Sequence, residues 1–288
     1  KSKFDELYFK ALSCEVVPDK IHPVRVIQSV KSIVGINPEL PLVNLMSFCT
    51  SYIDKFKTST IDLKFKTVES PEVITFADLE VALKSRSADR SLNAAYNLSK
   101  VSDGRHILEF LIEFSLKYKS ASFPNIWSVY KMMLFLKGKD IEKNILFCIH
   151  LVINDSSRTS LRINKLLDID FEKYQYDKNN LDLFFIYYSI LDEDLVRIGN
   201  IAKYIKNNLL DSFSFKNNDA RVNITNSQQS LGRLWISQYL EKMNIENLNA
   251  NIIIAFESFR AALKSSNGIY DKMIWTNLNK YLNQNDFR

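Results

Sequence analysis

The side chains that would do proton, nucleophile or metal chemistry are few in this chain, and their spacing is unfavourable. The histidines are His22, His106 and His150, and none sits in an HExxH or HxH pattern or beside a nucleophile in a catalytic signature. His150 follows Cys148 by two residues in an apolar stretch that reads as helix, so the two side chains project roughly 200° apart and cannot share a metal. His106, just after Asp103-Gly104, reads as an exposed residue of a helix cap, and His22-Pro23 reads as the turn that starts a helix. Cys14, Cys49 and Cys148 are odd in number, widely spaced and without a CxxC pair, which points to reduced, buried thiols in an intracellular protein.

Two acidic clusters, Asp168/Asp170/Glu172 and Asp192/Glu193/Asp194, read as water-exposed partners of helix dipoles rather than as cation ligands. The glycine patterns GxGxxG, GxxxxGK[ST] and GxSxG are missing, as is the paired ExxH of a di-iron bundle. No catalytic residue, metal, cofactor or small-molecule substrate is therefore expected. An all-α enzyme would reveal itself as two or more ionisable side chains converging in a buried cleft.

Binding chemistry has better candidates. Arg158, Arg162 and Lys165 stand at i, i+4 and i+7, so they line one face of a helix and could meet phosphates or an acidic partner. Arg221, Arg233, Arg260 and Lys264 are scattered basic candidates. The chain carries 19 Phe, 13 Tyr and 3 Trp. Trp127, Tyr130 and Leu134 keep helical spacing and belong to a core, whereas Tyr174 and Tyr176 are the aromatic residues expected at a stacking or partner-binding surface.

The elements that must position these residues are helices. Six Gly and six Pro in 288 residues leave little material for tight turns, and all six prolines fall by Pro124. Apolar periodicity predicts helices over Phe4–Ser13, Val24–Val34, Leu42–Lys55, Asn125–Leu136, Ile141–Asn154, Ser160–Leu167, Leu181–Leu191, Leu195–Leu209, Ser227–Lys242, Asn249–Lys264 and Tyr270–Asn283. Pro124 suits a first helical turn, and Asn267-Gly268 is a stop signal. Ile61 to Phe65 alternates like a half-buried strand but has no partner strand, so 61–72 reads as an extended linker. The expected organisation is an N-terminal helical segment at 1–60, that linker, and a helical domain at 73–288 with an insertion at 156–179 and a loop at 211–226. No apolar run approaches the ~18–20 residues that span a bilayer.

One internal similarity has a mechanical meaning. Asn93, Tyr96, Gly104, Ile107 and Leu111 lie 34 residues before Trp127, Tyr130, Gly138, Ile141 and Ile145, each set in the order helix, glycine turn, helix. Through Asp103-Gly104-Arg105-His106-Ile107-Leu108-Glu109 and Gly138-Lys139-Asp140-Ile141-Glu142-Lys143, residues 90–205 resemble the pentatricopeptide and tetratricopeptide helical-hairpin repeats. The resemblance implies stacked hairpins with a concave binding surface. In its pentatricopeptide form it implies single-stranded RNA binding in an organelle such as the mitochondrial matrix, one base per repeat. That role would fall on Ala94 or Ala95, on Ser128 or Val129, and on Leu183, of which Ser128 has a hydroxyl to offer a base.

The expected fold is all-α, a helical-hairpin repeat-like array that could be an α-solenoid or an irregular helical bundle. Lys plus Arg exceed Asp plus Glu by five, an excess interleaved along the chain rather than gathered in a stripe. The chain opens at Lys1 without Met, as a fragment or processed product would. The expected function is a non-catalytic scaffold or adaptor holding a protein partner in a larger assembly; the alternative is an organellar single-stranded RNA-binding protein acting in transcript maturation, stability or translation.

Overall fold

The computed structural model describes residues 2–40, 42–60, 63–64, 74–159, 181–212, 224–269 and 271–284. Among the described residues the protein is all-α, with fourteen α-helices, one single-turn 3-10 helix at Ile245–Asn247 and no strand. The linker at 61–72 and the loop at 211–226 lie largely outside the described residues, and so do the 160–167 helix expectation and most of the 156–179 insertion.

The chain begins with α1 (Ser2–Leu12), α2 (Pro23–Val34) and α3 (Val43–Ile53). His22 starts α2 as its N-cap: its Nδ1 accepts the Val24 N–H, its Nε2 lies 3.3 Å from the Cys14 carbonyl, and Pro23 supplies a first turn that needs no donor. Val24, Val26, Ile27, Val30 and Ile33 are buried with no exposed area and form the apolar side of α2, whose other side carries Arg25, Gln28, Ser29, Lys31 and Ser32. It packs on α1 and α3, and also on α7 (Phe123–Phe135), α12 (Arg233–Lys242) and α13 (Ala250–Ser266). One hydrophobic core thus runs from Phe4 to Tyr281.

Between them come α4 (Phe76–Lys84), α5 (Ala88–Val101), α6 (Gly104–Lys117) and α8 (Ile141–Asn154). Thr75 and Asp78 form a capping box at α4, Ser87 caps α5 and Asp103 caps α6, which are the short polar side chains that satisfy otherwise orphaned N–H groups. Helices α7 and α8 start 35 and 37 residues after α5 and α6, against the 34 read from the sequence. The two glycines differ in role. Gly138 ends α7 in a left-handed turn at φ +74°, whereas Gly104 is the first residue of α6, where an added Cβ would come within 2.5 Å of Ile141 Cγ1. Helix α6 packs on both α7 and α8, and α8 packs also on α5.

The remaining helices are α9 (Leu181–Ile190), α10 (Ile198–Ser212), α11 (Asn226–Leu231) and α14 (Asp271–Gln284). Two differ from the sequence expectation. The single helix expected over Ser227–Lys242 is broken into α11 and α12 by Gly232, whose φ of +51° and ψ of −133° suit glycine alone. The Asp192-Glu193-Asp194 cluster does not open a helix at Leu195, because α10 begins at Ile198; Glu193 pairs with Lys131 of α7, and the Asp194 backbone carbonyl accepts from Arg105 of α6. No helix among the described residues is long and apolar enough to cross a membrane.

Candidate functional site

Of the binding candidates singled out from the sequence, Ser128, Arg158, Arg233, Arg260 and Lys264 are described; Ser128, Arg260 and Lys264 line one cleft, and Arg158 lies outside it. Ser128 is buried in α7 and donates its hydroxyl to the Pro124 carbonyl at 2.9 Å. Arg158 donates Nη1 to the Leu83 carbonyl at 2.9 Å and Nε to the Asp155 carbonyl at 3.4 Å, with its guanidinium 5.7 Å from the Phe114 ring centre. It thereby ties the end of α4 to the segment after α8. Arg162, Lys165, Tyr174, Tyr176 and Arg221 lie outside the described residues. Ala94 and Ala95 are buried.

Three places gather polar groups. The first is a cleft of about 90 Å³ where α2, α7, α9 and α13 meet. On α13, Glu257, Arg260, Ala261, Lys264 and Ser265 recur at i, i+3, i+4, i+7 and i+8, one polar stripe on an otherwise apolar helix. Arg25 and Gln28 of α2 and Ser128 and Lys131 of α7 face it. Arg260 forks onto Glu257, Nε to Oε2 at 2.5 Å and Nη2 to Oε1 at 2.9 Å, and Gln28 adds a bond to Oε1 at 3.4 Å. Lys131 pairs with Glu193 and lies 5.5 Å over the Trp127 ring.

Burial works against the charge of Arg260, but the facing Glu257 outweighs it and raises the pKa. Lys31, one turn along α2 and 5.4 Å over the Phe135 ring, goes the other way. Burial first, and then the repulsion of Lys131 and Arg260 against the attraction of Glu257 and Glu193, bring its ammonium down to about 8. Ionisable groups therefore do converge in a buried cleft. Among the described residues no histidine or cysteine lines it, and Glu257 and Glu193 are each held by a cation.

The second place is a closed ladder on α6. Glu109 has no exposed area; its Oε1 accepts from Arg105 Nε at 3.0 Å and Tyr130 Oη at 3.2 Å, and its Oε2 accepts from the Arg197 backbone N–H at 3.2 Å. Asn200 donates to Glu113 at 3.1 Å, and the Arg197 guanidinium lies 3.1 Å from the other Glu113 oxygen while packing over Phe76 and Phe110. One turn further, Lys117 and Tyr118 both donate to Glu80 at 2.7 Å. Burial and the neighbouring Glu109 push the Tyr130 hydroxyl up to about 12, and burial raises the Glu113 carboxyl against the pull of Arg197. The ladder fastens the turn before α10 to α6.

The third place is a groove of about 620 Å³ beside α8. An antiparallel bridge between Cys14 and Thr58, with the Glu15 N–H donating to the Lys57 carbonyl at 2.9 Å, holds Val16, Val17 and Pro18 across from Phe147, His150 and Leu151. Among the described residues, Glu15, Asp19 and Asp155 are the charged residues of its lining, with no Lys or Arg. Burial alone would raise the Asp155 carboxyl, but bonds from Ser120, Ser157 and the Ser122 amide outweigh it and keep the group below the usual carboxylate range. Burial lowers the pKa of the half-buried His150, so it adds no positive charge at neutral pH. Val16 stands about half exposed at the rim.

Among the described residues no three His, Cys, Asp or Glu side chains lie close enough to hold a metal ion. Compared with family models, with curated proteins and with solved structures, the chain matches none.

Proposed function

We propose that this chain is a non-catalytic α-helical adaptor that holds a protein partner within a larger assembly, through the groove between the Cys14–Pro18 segment and α8. The observation that carries the reading is the groove's charge. In a chain with a net charge of +5, its lining among the described residues holds three carboxylates and no lysine or arginine around an apolar floor. An extended partner segment with an apolar side chain flanked by Lys or Arg complements it in shape and sign. On this reading α5–α6 and α7–α8 are two related hairpins within an irregular bundle, and the buried free thiols of Cys14, Cys49 and Cys148 suit a reducing compartment. The RNA-binding alternative is set second because the candidate base-contacting positions Ala94, Ala95 and Ser128 are buried.

The test is selection of a random dodecamer peptide display library on the folded chain and on Val16→Asp, a substitution at an exposed side chain, beside titration of a single-stranded RNA pool at two salt concentrations. Enrichment of peptides pairing Leu or Phe with Lys or Arg, lost on Val16→Asp, is the expected result. Equal enrichment on both proteins overturns the proposal. RNA binding that falls steeply with salt, without any peptide enrichment, replaces it with the alternative.

A further inference from the structure

We propose that the cleft between α2, α7 and α13 binds a compact oxyanion, inorganic phosphate or the phosphate group of a small monoester. The inference is independent of the adaptor reading, since it rests on a different face of different helices. Its first support is the balance of donors and acceptors. Glu257 is held by Arg260 and Gln28, and Glu193 by Lys131, so both carboxylates are neutralised by protein donors. The donors are not used up. Arg260 keeps its Nη1 hydrogens, Lys131 keeps two ammonium hydrogens, and among the described residues Lys264 has no partner. Ser29 is buried against the same space with its hydroxyl free of any protein partner among the described residues.

The second support is charge. Lys31, Lys131, Arg260 and Lys264 surround or border the cleft against Glu193 and Glu257, and Arg25 and Asp192 add one charge of each sign to its lining. An anion relieves the mutual repulsion of Lys31, Lys131 and Arg260, and the Arg260 side chain is only 13% exposed, so the attraction is little screened. The third is size. A cavity of about 90 Å³ is far below the ~300–1,000 Å³ of ordinary small-molecule pockets, yet it exceeds what one water needs. A tetrahedral oxyanion with three or four acceptor oxygens fits both the volume and the surplus of donors. A divalent cation does not, because the carboxylates it would need are already bound to cations.

The experiment is calorimetric titration of the whole chain with inorganic phosphate and, separately, with glycerol 3-phosphate, each against potassium chloride at matched ionic strength, with phosphorus-31 line broadening as a second readout. Saturable binding is expected, weakened about three- to tenfold in Lys264→Gln, an exposed side chain whose loss leaves the fold intact, and more than about tenfold in Arg260→Gln. Lys143→Gln, on the far helix α8, should bind as the unaltered chain does. Tighter binding of glycerol 3-phosphate than of phosphate identifies a monoester as the ligand, and the reverse order identifies the free ion. Absence of saturable binding at low salt, or unchanged affinity in both Lys264→Gln and Arg260→Gln, overturns the proposal.

Discussion

The ladder on α6 and the cleft on α13 are built from the same materials and finished differently. Each sets Glu and Arg a turn or less apart on a mostly apolar helix, Arg105 with Glu109 at i, i+4 and Glu257 with Arg260 at i, i+3. In the ladder, Glu109 takes donors from α6, from Tyr130 of α7 and from the backbone before α10, so both of its oxygens are bonded. In the cleft the same ion pair opens onto a void with cationic donors to spare. Burial of charge is therefore not a mark of function by itself. What separates a structural cluster from a binding site is whether the protein's own acceptors and donors come out even.

The difference can be broken most directly at the two carboxylates. Glu109→Ala leaves Tyr130 and the Arg197 amide without their acceptor at a buried position, while the third-exposed Arg105 keeps the Asp194 carbonyl, and should lower unfolding free energy by about 3 kcal/mol. Glu257→Ala leaves Arg260 facing the cleft, where water can replace the carboxylate, and should cost about 1–2 kcal/mol. Urea denaturation midpoints decide it, and equal losses would erase the distinction.

A subtler probe is the alkaline limb of stability. Lys31 has a folded pKa of about 8 against 10.5 unfolded, so between those values the unfolded chain binds more protons. This group alone should add about 1–2 kcal/mol as pH rises from 8 to 10.5, after allowing for partial exposure, while thiols and phenols raised by burial, such as Cys49 and Tyr130, take stability away over the same range, so the quantity to measure is the unaltered chain minus Lys31→Met. A difference that does not change with pH would mean that the cleft imposes no charge penalty on Lys31. The smallest effect is expected at Tyr130→Phe, which removes one of three donors to Glu109 and should lower stability by about 1 kcal/mol in thermal melts.

Much of the helical framework was legible because its signals are local. His22-Pro23 and Asp103-Gly104 announce helix starts through side chains that reach only two or three residues, whereas α4, with its Thr75–Asp78 capping box, is not among the expected helices. Gly232 was legible only as a residue; nothing in Ser227–Lys242 shows that its backbone must take a conformation closed to other side chains. The sites were hidden for a different reason. Arg260 and Lys264 read as scattered basic residues, and Arg105, Glu109, Glu113 and Lys117, spaced by four, look like a solvated charged face. Periodicity shows which face of a helix is polar but not which other polar face turns toward it. Arg25, Lys131 and Arg260 come from three helices more than a hundred residues apart along the chain, so only tertiary packing unites them.

The Gln28–Glu257 hydrogen bond joins residues 229 positions apart, and it sets a clock on biosynthesis. Helix α2 meets α1 and α3 early, but its faces against α7 and α13 have no cover until those segments are made. At ~5–20 residues per second, a ribosome takes roughly 10–45 s to travel from Gln28 to Glu257. Throughout that interval the nascent chain carries a helix whose apolar side is in search of its last neighbour, which makes it a client for chaperones that shield exposed valine- and isoleucine-rich surface.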